Sequence, residues 1–182
     1  MQLTRKFEKN MDINNDNNRN EDNHLLYAEG KRLLNESKIQ DFNHWRMENL
    51  MARPNISSEN FSGKDLSGAF LNGVNCTRTN LSHCNLAKVN LVQADLSGAN
   101  LEGADLKEAL LMYCDMKECN LANADLTKTN LMWANLQGSN LTGCRISRTN
   151  FVEANLTNAK VGNADRSSAY LKYARLQGTS WA

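Results

Sequence analysis

A period of five residues governs the sequence from Pro54 onward. A column of mostly large apolar residues occupies positions 56, 61, 66 and every fifth position up to 181, without one insertion or deletion. Of these 26 positions, 17 are leucine. A period of five fits neither the 3.6-residue turn of an α-helix nor the two-residue alternation of a β-strand. Such short-period self-similarity predicts a solenoid, in which each unit packs against its neighbours.

A column of small residues lies two positions before the large one. From Ala69 to Thr179 its 23 members are all Ala, Cys, Thr, Ser or Val. Residues two apart in an extended segment point to the same side, so the large residue should fill the interior and the small one should permit a tight corner. The residue between them is mostly Asn or Asp, which should face outward and suits turns. Glycine recurs two positions after the large residue, where a turn is also expected.

The segment ADLSGANLEGADL, residues 94–106, resembles the pentapeptide-repeat family, whose motif is A(D/N)LXX. The resemblance covers roughly residues 55–182. It implies an all-β solenoid, namely a right-handed quadrilateral parallel β-helix with four repeats in each coil. The repeats would then form about six coils, stacked to a height of roughly 30 Å at a strand spacing of ~4.8 Å.

A helical lead-in is implied by the same resemblance. The segment FNHWRMEN, which runs from Phe42 to Asn49 and precedes Pro54 and DLSGAFL, is similar to the segment that comes before the repeats in bacterial members. The resemblance implies that this segment caps the N-terminal end of the β-helix. The residues expected to form the cap are Phe42, Trp45 and Arg46.

Three zones divide the chain. Residues 1–24 are rich in Asn and Asp and carry too little apolar surface to offset the entropy of ordering, so we predict a disordered tail, with a tail bound by a partner as the alternative. Residues 25–53 are predicted to be a helical N-terminal cap, broken near Asn35, with Ser37 as the second helix's N-cap. Residues 54–182 are predicted to be the β-helix. The apolar helix positions are Leu26, Ala28, Leu33, Leu34, Ile39, Phe42, Trp45 and Leu50.

The charge balance favours neither nucleic acid nor an anionic membrane as a partner. The 182 residues include 21 basic and 20 acidic side chains, which gives a net charge of +1. No run of 18 apolar residues occurs, so we expect no spanning helix. The first residues contain no apolar stretch and no small-residue cleavage site, so we expect a cytoplasmic protein.

The repeat register assigns the five cysteines to the interior. Cys84, Cys114, Cys119 and Cys144 fall in the small column, and Cys76 falls in the large one. They are expected to act as small buried hydrophobes, with redox or metal chemistry as the lesser alternative. No nucleotide-binding, metalloprotease or serine-hydrolase motif is present. We therefore predict no catalytic residues, no metal and no cofactor, and a protein that is not an enzyme.

One side of the predicted β-helix is apolar where it should be polar. The position after each large residue should face solvent, and the four repeats per coil that the resemblance implies place residues twenty apart on one side. Three of the four sides are mostly polar there, but the fourth carries successive apolar residues, flanked by aromatic ones. We call this set the apolar face: Phe70, Val92, Leu110, Met112, Tyr113, Met132, Trp133, Val152 and Tyr170.

The apolar face predicts a non-enzymatic protein–protein interaction module, because a contiguous patch with Trp, Tyr and Met is typical of docking surfaces. Three occupants remain open: the chain's own helices, a second copy in a homodimer, and a foreign protein of unknown identity. The alternative function is a DNA mimic that binds a type II topoisomerase, as the resemblance to the family implies. The repeat segment has 12 basic and 11 acidic residues, so the strong negative field that mimicry requires is missing.

Two residues near the C-terminus stand out in the large column. Arg166 occupies a position where a buried, unpaired guanidinium would be costly. The last coil could be open there, or the side chain could swing outward, or it could pair with a carboxylate. Trp181, at the last position of the register, is predicted to cap the C-terminal end of the core.

Overall fold

The computed structural model describes residues 27–182, so the predicted disordered tail and Leu26 lie outside the described residues. Helix α1 covers residues 27–35 of the described chain, and helix α2 spans Ile39–Glu48. From Asn55 onward the backbone alternates single-residue β-bridges with turns, and its extended segments are only one residue long by hydrogen-bonding pattern.

Parallel bridges join residues twenty positions apart. The first pair is Asn55 with Asn75, and the series continues every five residues to the pair of Asn155 with Arg175, with one gap at Arg145 and Asp165. Twenty residues therefore make one coil, and each coil has four bridged sides. This arrangement confirms a β-helical solenoid built from five-residue units. It also means that side chains twenty apart stack on the same side.

Each column of the repeat has its own part in the turn. The amide of the small residue donates to the carbonyl of the large residue three positions earlier, as from Ala99 to Leu96 at 2.8 Å. The third residue of the turn has a positive φ, such as +67° at Gly98, which is the signature of a type II turn. The side chain of Asn or Asp accepts from the amide two residues on, as Asn100 does from Glu102 at 3.2 Å. These local bonds explain why small, Asn/Asp and Gly residues recur.

The interior consists of the large and small columns. The large residues from Ile56 to Val161 are buried, and so are the small ones from Ala69 to Ala159. The prediction that all five cysteines face the interior is confirmed, since each is buried with a free thiol. The thiol of Cys114 donates to the carbonyl of Leu91 at 2.8 Å, and the hydroxyl of Thr129 makes the same bond to Leu106 at 2.7 Å. Cys and Thr therefore fit the small column, because a carbonyl of the preceding coil accepts a hydrogen bond from their side chains.

The C-terminal coil opens at Arg166. The bridge that would join Arg145 to Asp165 is missing from the series, and Arg166 is exposed. Its guanidinium donates to the backbone carbonyl of Trp181 instead of a carboxylate. Of the three outcomes considered, the structure shows an open coil with the arginine turned outward. Trp181 is buried and packs edge-on against Phe151, with ring centroids 6.4 Å apart, at the end where the sequence predicts a cap.

Helix α2 lies against the N-terminal end of the β-helix. Phe42, Trp45 and Arg46 are buried there, where the sequence predicts the N-terminal cap. The Arg46 guanidinium donates to the carbonyls of Phe70 at 3.1 Å and Asn72 at 3.0 Å, and also to that of Ala52. The bonds to Phe70 and Asn72 cover backbone carbonyls of the first coil that have no preceding coil to pair with.

Asn43 covers the rest of this edge. Its side-chain amide donates to the carbonyl of Gly68 at 2.9 Å and accepts from the amide of Phe70 at 2.8 Å. Asn43 and Arg46 together occupy the place of a missing strand on one side of the first coil. A bare edge of this kind is otherwise open to pairing with another chain.

Three details of the helical prediction are wrong. The N-cap of α2 is Lys38 and not Ser37, which lies in the turn with a φ of +52°. Leu50 follows the end of α2 and is 76 % exposed, so it does not continue the buried stripe. Ala28 is exposed as well. For Leu50 and Ala28, packing of the helices on the β-helix decides which residues are buried, and the local sequence does not show this packing.

Replacing Arg46 with Met should lower the free energy of unfolding by about 2–4 kcal/mol, because one buried and two partly buried carbonyls lose their charged donor. Urea denaturation of the full chain measures this change. Arg53→Met is the matched control, since Arg53 is exposed, and should cost less than about 0.5 kcal/mol. Equal losses in the two variants would contradict the proposed role of Arg46.

The buried thiols should make stability fall at high pH. Burial raises the pKa of Cys114, Cys119 and Cys144 to about 12. A thiol in the unfolded chain ionises above a pH of about 8.5. The contribution of the buried thiols to the free energy of unfolding is therefore fully present below that pH and is lost as the pH rises toward 12.

Each thiol should contribute a slope of up to about 1.4 kcal/mol per pH unit between pH 9 and 11. The control is a variant in which the four small-column cysteines become Ala, the commonest residue of that column. Urea denaturation under reductant should show a steeper loss for the natural chain. If the free energy of unfolding falls equally with pH in the two proteins, the thiols do not lose protons when the chain unfolds.

Candidate interaction surface

The apolar face is one side of the β-helix, built by a continuous series of bridges. These join Phe70, Asn90, Leu110, Asn130, Asn150 and Tyr170 in sequence. The structure therefore brings the predicted residues of the apolar face together on successive coils. Backbone bonds hold the turn positions in the same register, as from the amide of Trp133 to the carbonyl of Val152 at 3.1 Å.

The exposure of the apolar face is uneven. Its larger side chains are exposed, with 52 % for Tyr113 and 41 % for Trp133. Phe70, Leu110 and Tyr170 are exposed too. The four residues that directly follow the large column are half-buried, so they form the floor of the face: Val92, Met112, Met132 and Val152.

Exposed large hydrophobic residues in the β-helix occur on this side and on none of the other three among the described residues. The set comprises Phe70, Leu110, Tyr113, Trp133, Tyr170 and Tyr173. Scattered apolar residues on a surface are ordinary, but a single contiguous patch indicates a binding surface.

Tyr113 and Trp133 form the centre of the apolar face. Their rings are stacked, with centroids 4.8 Å apart and an interplanar angle of 11°. Both residues have positive φ values, +61° and +60°, at the turn position where glycine is favoured elsewhere. The left-handed conformation costs a residue with a Cβ about 1–2 kcal/mol. The chain thus holds two large aromatic rings outward at a position that local stability does not favour.

Tyr173 belongs to this surface but is missing from the sequence prediction. It is exposed, and the ammonium of Lys172 lies 4.9 Å from its ring centroid. The signal was available, because Tyr173 follows Tyr113 and Trp133 at multiples of twenty in the same turn position.

The apolar face continues onto the helical cap. Met47, Leu50 and Met51 are exposed at the end of α2. Met47 and Leu50 line a hollow of about 60 Å³ together with Phe70 and Asn72. The helices therefore extend the apolar face at its N-terminal end and, within the described chain, leave Tyr113 and Trp133 open.

The two long edges of the apolar face differ in charge. The basic edge comprises Lys88, Lys128 and Arg148, with Glu108 between them and 3.5 Å from the Lys128 ammonium. The opposite, mixed edge carries Glu153 at the aromatic corner and Asp95 and Asp115 on the next side, with Lys172 and Arg175 near the C-terminal end and Lys117 3.4 Å from Asp115.

One polar side of the β-helix carries paired charges beside a hollow. A polar hollow of about 360 Å³ lies beside Asp105 and Asp125. The ammonium of Lys107 is 2.9 Å from Asp105 and 3.6 Å from Asp125, and the Arg145 guanidinium is 3.5 Å from Asp125. This side therefore carries paired acidic and basic side chains. Residues 27–182 contain no metal-binding group of three His, Cys, Asp or Glu side chains, and no helix able to cross a membrane.

The family model for pentapeptide repeats matches residues 60–98, 75–111, 114–151 and 149–180. Together these matches cover more than half of the chain, which therefore belongs to the pentapeptide repeat family. No curated protein matches the sequence.

Solved structures of pentapeptide repeat proteins are similar to this chain. A protein from the thylakoid lumen of Arabidopsis thaliana is 32% identical, with 52% of this chain and 69% of that chain covered and a TM-score of 0.44. Rfr23 from the cyanobacterium Cyanothece 51142 is 27% identical, with coverages of 77% and 93% and a TM-score of 0.23. QnrB1, a plasmid-mediated fluoroquinolone resistance protein, is 17% identical, with coverages of 69% and 90% and a TM-score of 0.34.

Substituting Trp133 with Asn should change the free energy of unfolding by less than about 1 kcal/mol. Loss of the stacked ring is offset by the ease with which Asn adopts positive φ. Leu131→Ala, two residues away in the interior, should cost about 2–5 kcal/mol. Thermal and urea denaturation of both variants measure the contrast. A loss of more than about 2 kcal/mol for Trp133→Asn would show that the ring serves the fold and not binding.

Proposed function

We propose that this protein is a non-enzymatic protein–protein interaction module whose rigid β-helix presents the apolar face for self-association or partner docking. The observation that carries the proposal is the concentration of all exposed large hydrophobic residues of the described β-helix on one side. The proposal takes the architecture to be a right-handed quadrilateral β-helix of about six coils, the form that the family implies.

The composition of the apolar face suits binding. Tyr and Trp are enriched among residues that dominate binding energy, and Met adapts to varied partners. Burial of apolar area contributes roughly 25 cal/mol per Å² before the costs of association. Because the turns that carry Tyr113 and Trp133 are fixed by backbone bonds to the next coil, little backbone ordering is needed when a partner docks.

The charge pattern disfavours the alternative of a DNA mimic. The acidic residues of the polar side are neutralised locally, as Asp125 is by Lys107 and Arg145. A mimic of nucleic acid needs a continuous negative field. The proposal therefore assigns the binding function to the apolar face and not to the acidic residues.

The test is a pair of double variants of the full chain. Met112→Lys with Trp133→Lys places two charges on the apolar face. Ala122→Lys with Asn123→Lys places them at the same two turn positions on the opposite, polar side. The readouts are solution mass and the proteins retained from an extract of the native cell by the immobilised chain.

We expect the apolar-face variant to lose association by at least about tenfold, since buried charges are costly, and the control to behave as the natural chain. If both variants keep the mass and the bound proteins of the natural chain, the apolar face is not a docking surface and the proposal fails.

A further inference from the structure

We propose that the occupant of the apolar face is a second copy of this chain, packed face to face with the two solenoid axes parallel and their coils level. This inference rests on the proposed function and specifies its partner. The two-fold axis of the dimer runs parallel to the solenoids, between the two apolar faces.

Individual side chains that match across the two edges on three coils select this arrangement. A two-fold axis parallel to the solenoid places the basic edge of each copy against the mixed edge, which carries Glu153, of the other. Coils remain level, because rotation about that axis does not change height. Arg148 and Glu153 lie at the two corners of the same side in one coil. Arg148 of each copy therefore faces Glu153 of the other copy, and this contact occurs twice.

The neighbouring coils match in the same way. Lys128 and Trp133 lie at opposite corners one coil earlier, so an ammonium faces an exposed indole ring, which is a favourable cation–π pair. Glu108 and Tyr113 lie at the corners of the coil before that, so a carboxylate faces an exposed phenol that can donate to it. One two-fold axis thus creates a favourable pair of side chains between the two copies on each of three successive coils.

The alternative antiparallel packing lacks this match. A two-fold axis perpendicular to the solenoids and lying in the interface brings like edges together. Centred on the stacked pair of Tyr113 and Trp133, it places Lys88 against Arg148 of the second copy, twice, and Glu108 against Lys128, twice, so repulsive contacts offset the attractive ones. Like charges at an interface are unfavourable and serve to reject wrong arrangements.

The size of the apolar face predicts a weak dimer. Its bridged residues run over five coil steps, from Phe70 to Tyr170, which is about 24 Å at a spacing of ~4.8 Å. Stable interfaces bury about 800 Å² per partner, and a flat face about 24 Å by 10 Å lies below this. Association should therefore be weak and concentration-dependent.

Charge reversal at one pair tests the arrangement with the full chain. Sedimentation equilibrium should show the natural protein passing from 20.4 kDa to twice that mass with rising concentration. Arg148→Glu and Glu153→Arg should each weaken the homodimer at least about tenfold, because like charges then meet twice. An equimolar mixture of the two variants should restore association, since both contacts in the mixed dimer again join opposite charges.

The matched control is Lys160→Glu, which reverses an exposed charge on the opposite side and should leave the dimer unchanged. A mixture that stays monomeric while the natural chain dimerises would overturn the parallel arrangement, as would an equal effect of the control. A natural chain that stays monomeric up to about 1 mM, weaker than specific interfaces reach, would overturn the second copy as occupant. A monomeric natural chain would not decide the proposed function, which the capture experiment with the Lys variants tests separately.

Discussion

The parallel backbone bridge between residues twenty apart is the constraint on which the rest of the structure depends. Through bonds such as that from the Leu111 amide to the Asn130 carbonyl, at 2.8 Å, each coil fixes the next. The bridge decides which outward side chains become neighbours, so the apolar face exists only in this register. A single inserted or deleted residue would move every later side chain out of its column, which is consistent with an unbroken period over 26 units.

The same register separates stability from binding. The large and small columns supply the buried core, and the Asn/Asp and turn positions satisfy the backbone, so the outward positions are free to vary. The chain uses this freedom unevenly: three sides carry mainly polar residues, whereas one side carries stacked aromatic rings at strained turn positions. These residues add nothing to the core and expose apolar area, which is the basis on which we propose a docking role for this side.

Much of this could be read from the sequence, because a five-residue period has few structural solutions. The core columns and the interior cysteines follow from side-chain alternation alone. The twenty-residue coil, and with it the apolar face, required the family resemblance, since a period of five does not itself give four units per turn. The position of the Arg166 side chain could not be predicted, because it depends on whether the last coil closes. The bonds of Asn43 and Arg46 to the first coil were also beyond prediction, since they depend on how α2 docks and not on its own sequence.

The most direct test of the account is the accessibility of Trp133 as the protein associates. Trp45 and Trp181 are 8 % and 7 % exposed, so acrylamide quenching of the natural chain reports mainly on Trp133, which is 41 % exposed. Quenching is measured beside solution mass as protein concentration rises. The account predicts that the quenching constant falls in step with the increase in mass, because the second copy covers the indole ring. A rise in mass with Trp133 still equally quenchable would place the association elsewhere and contradict the account.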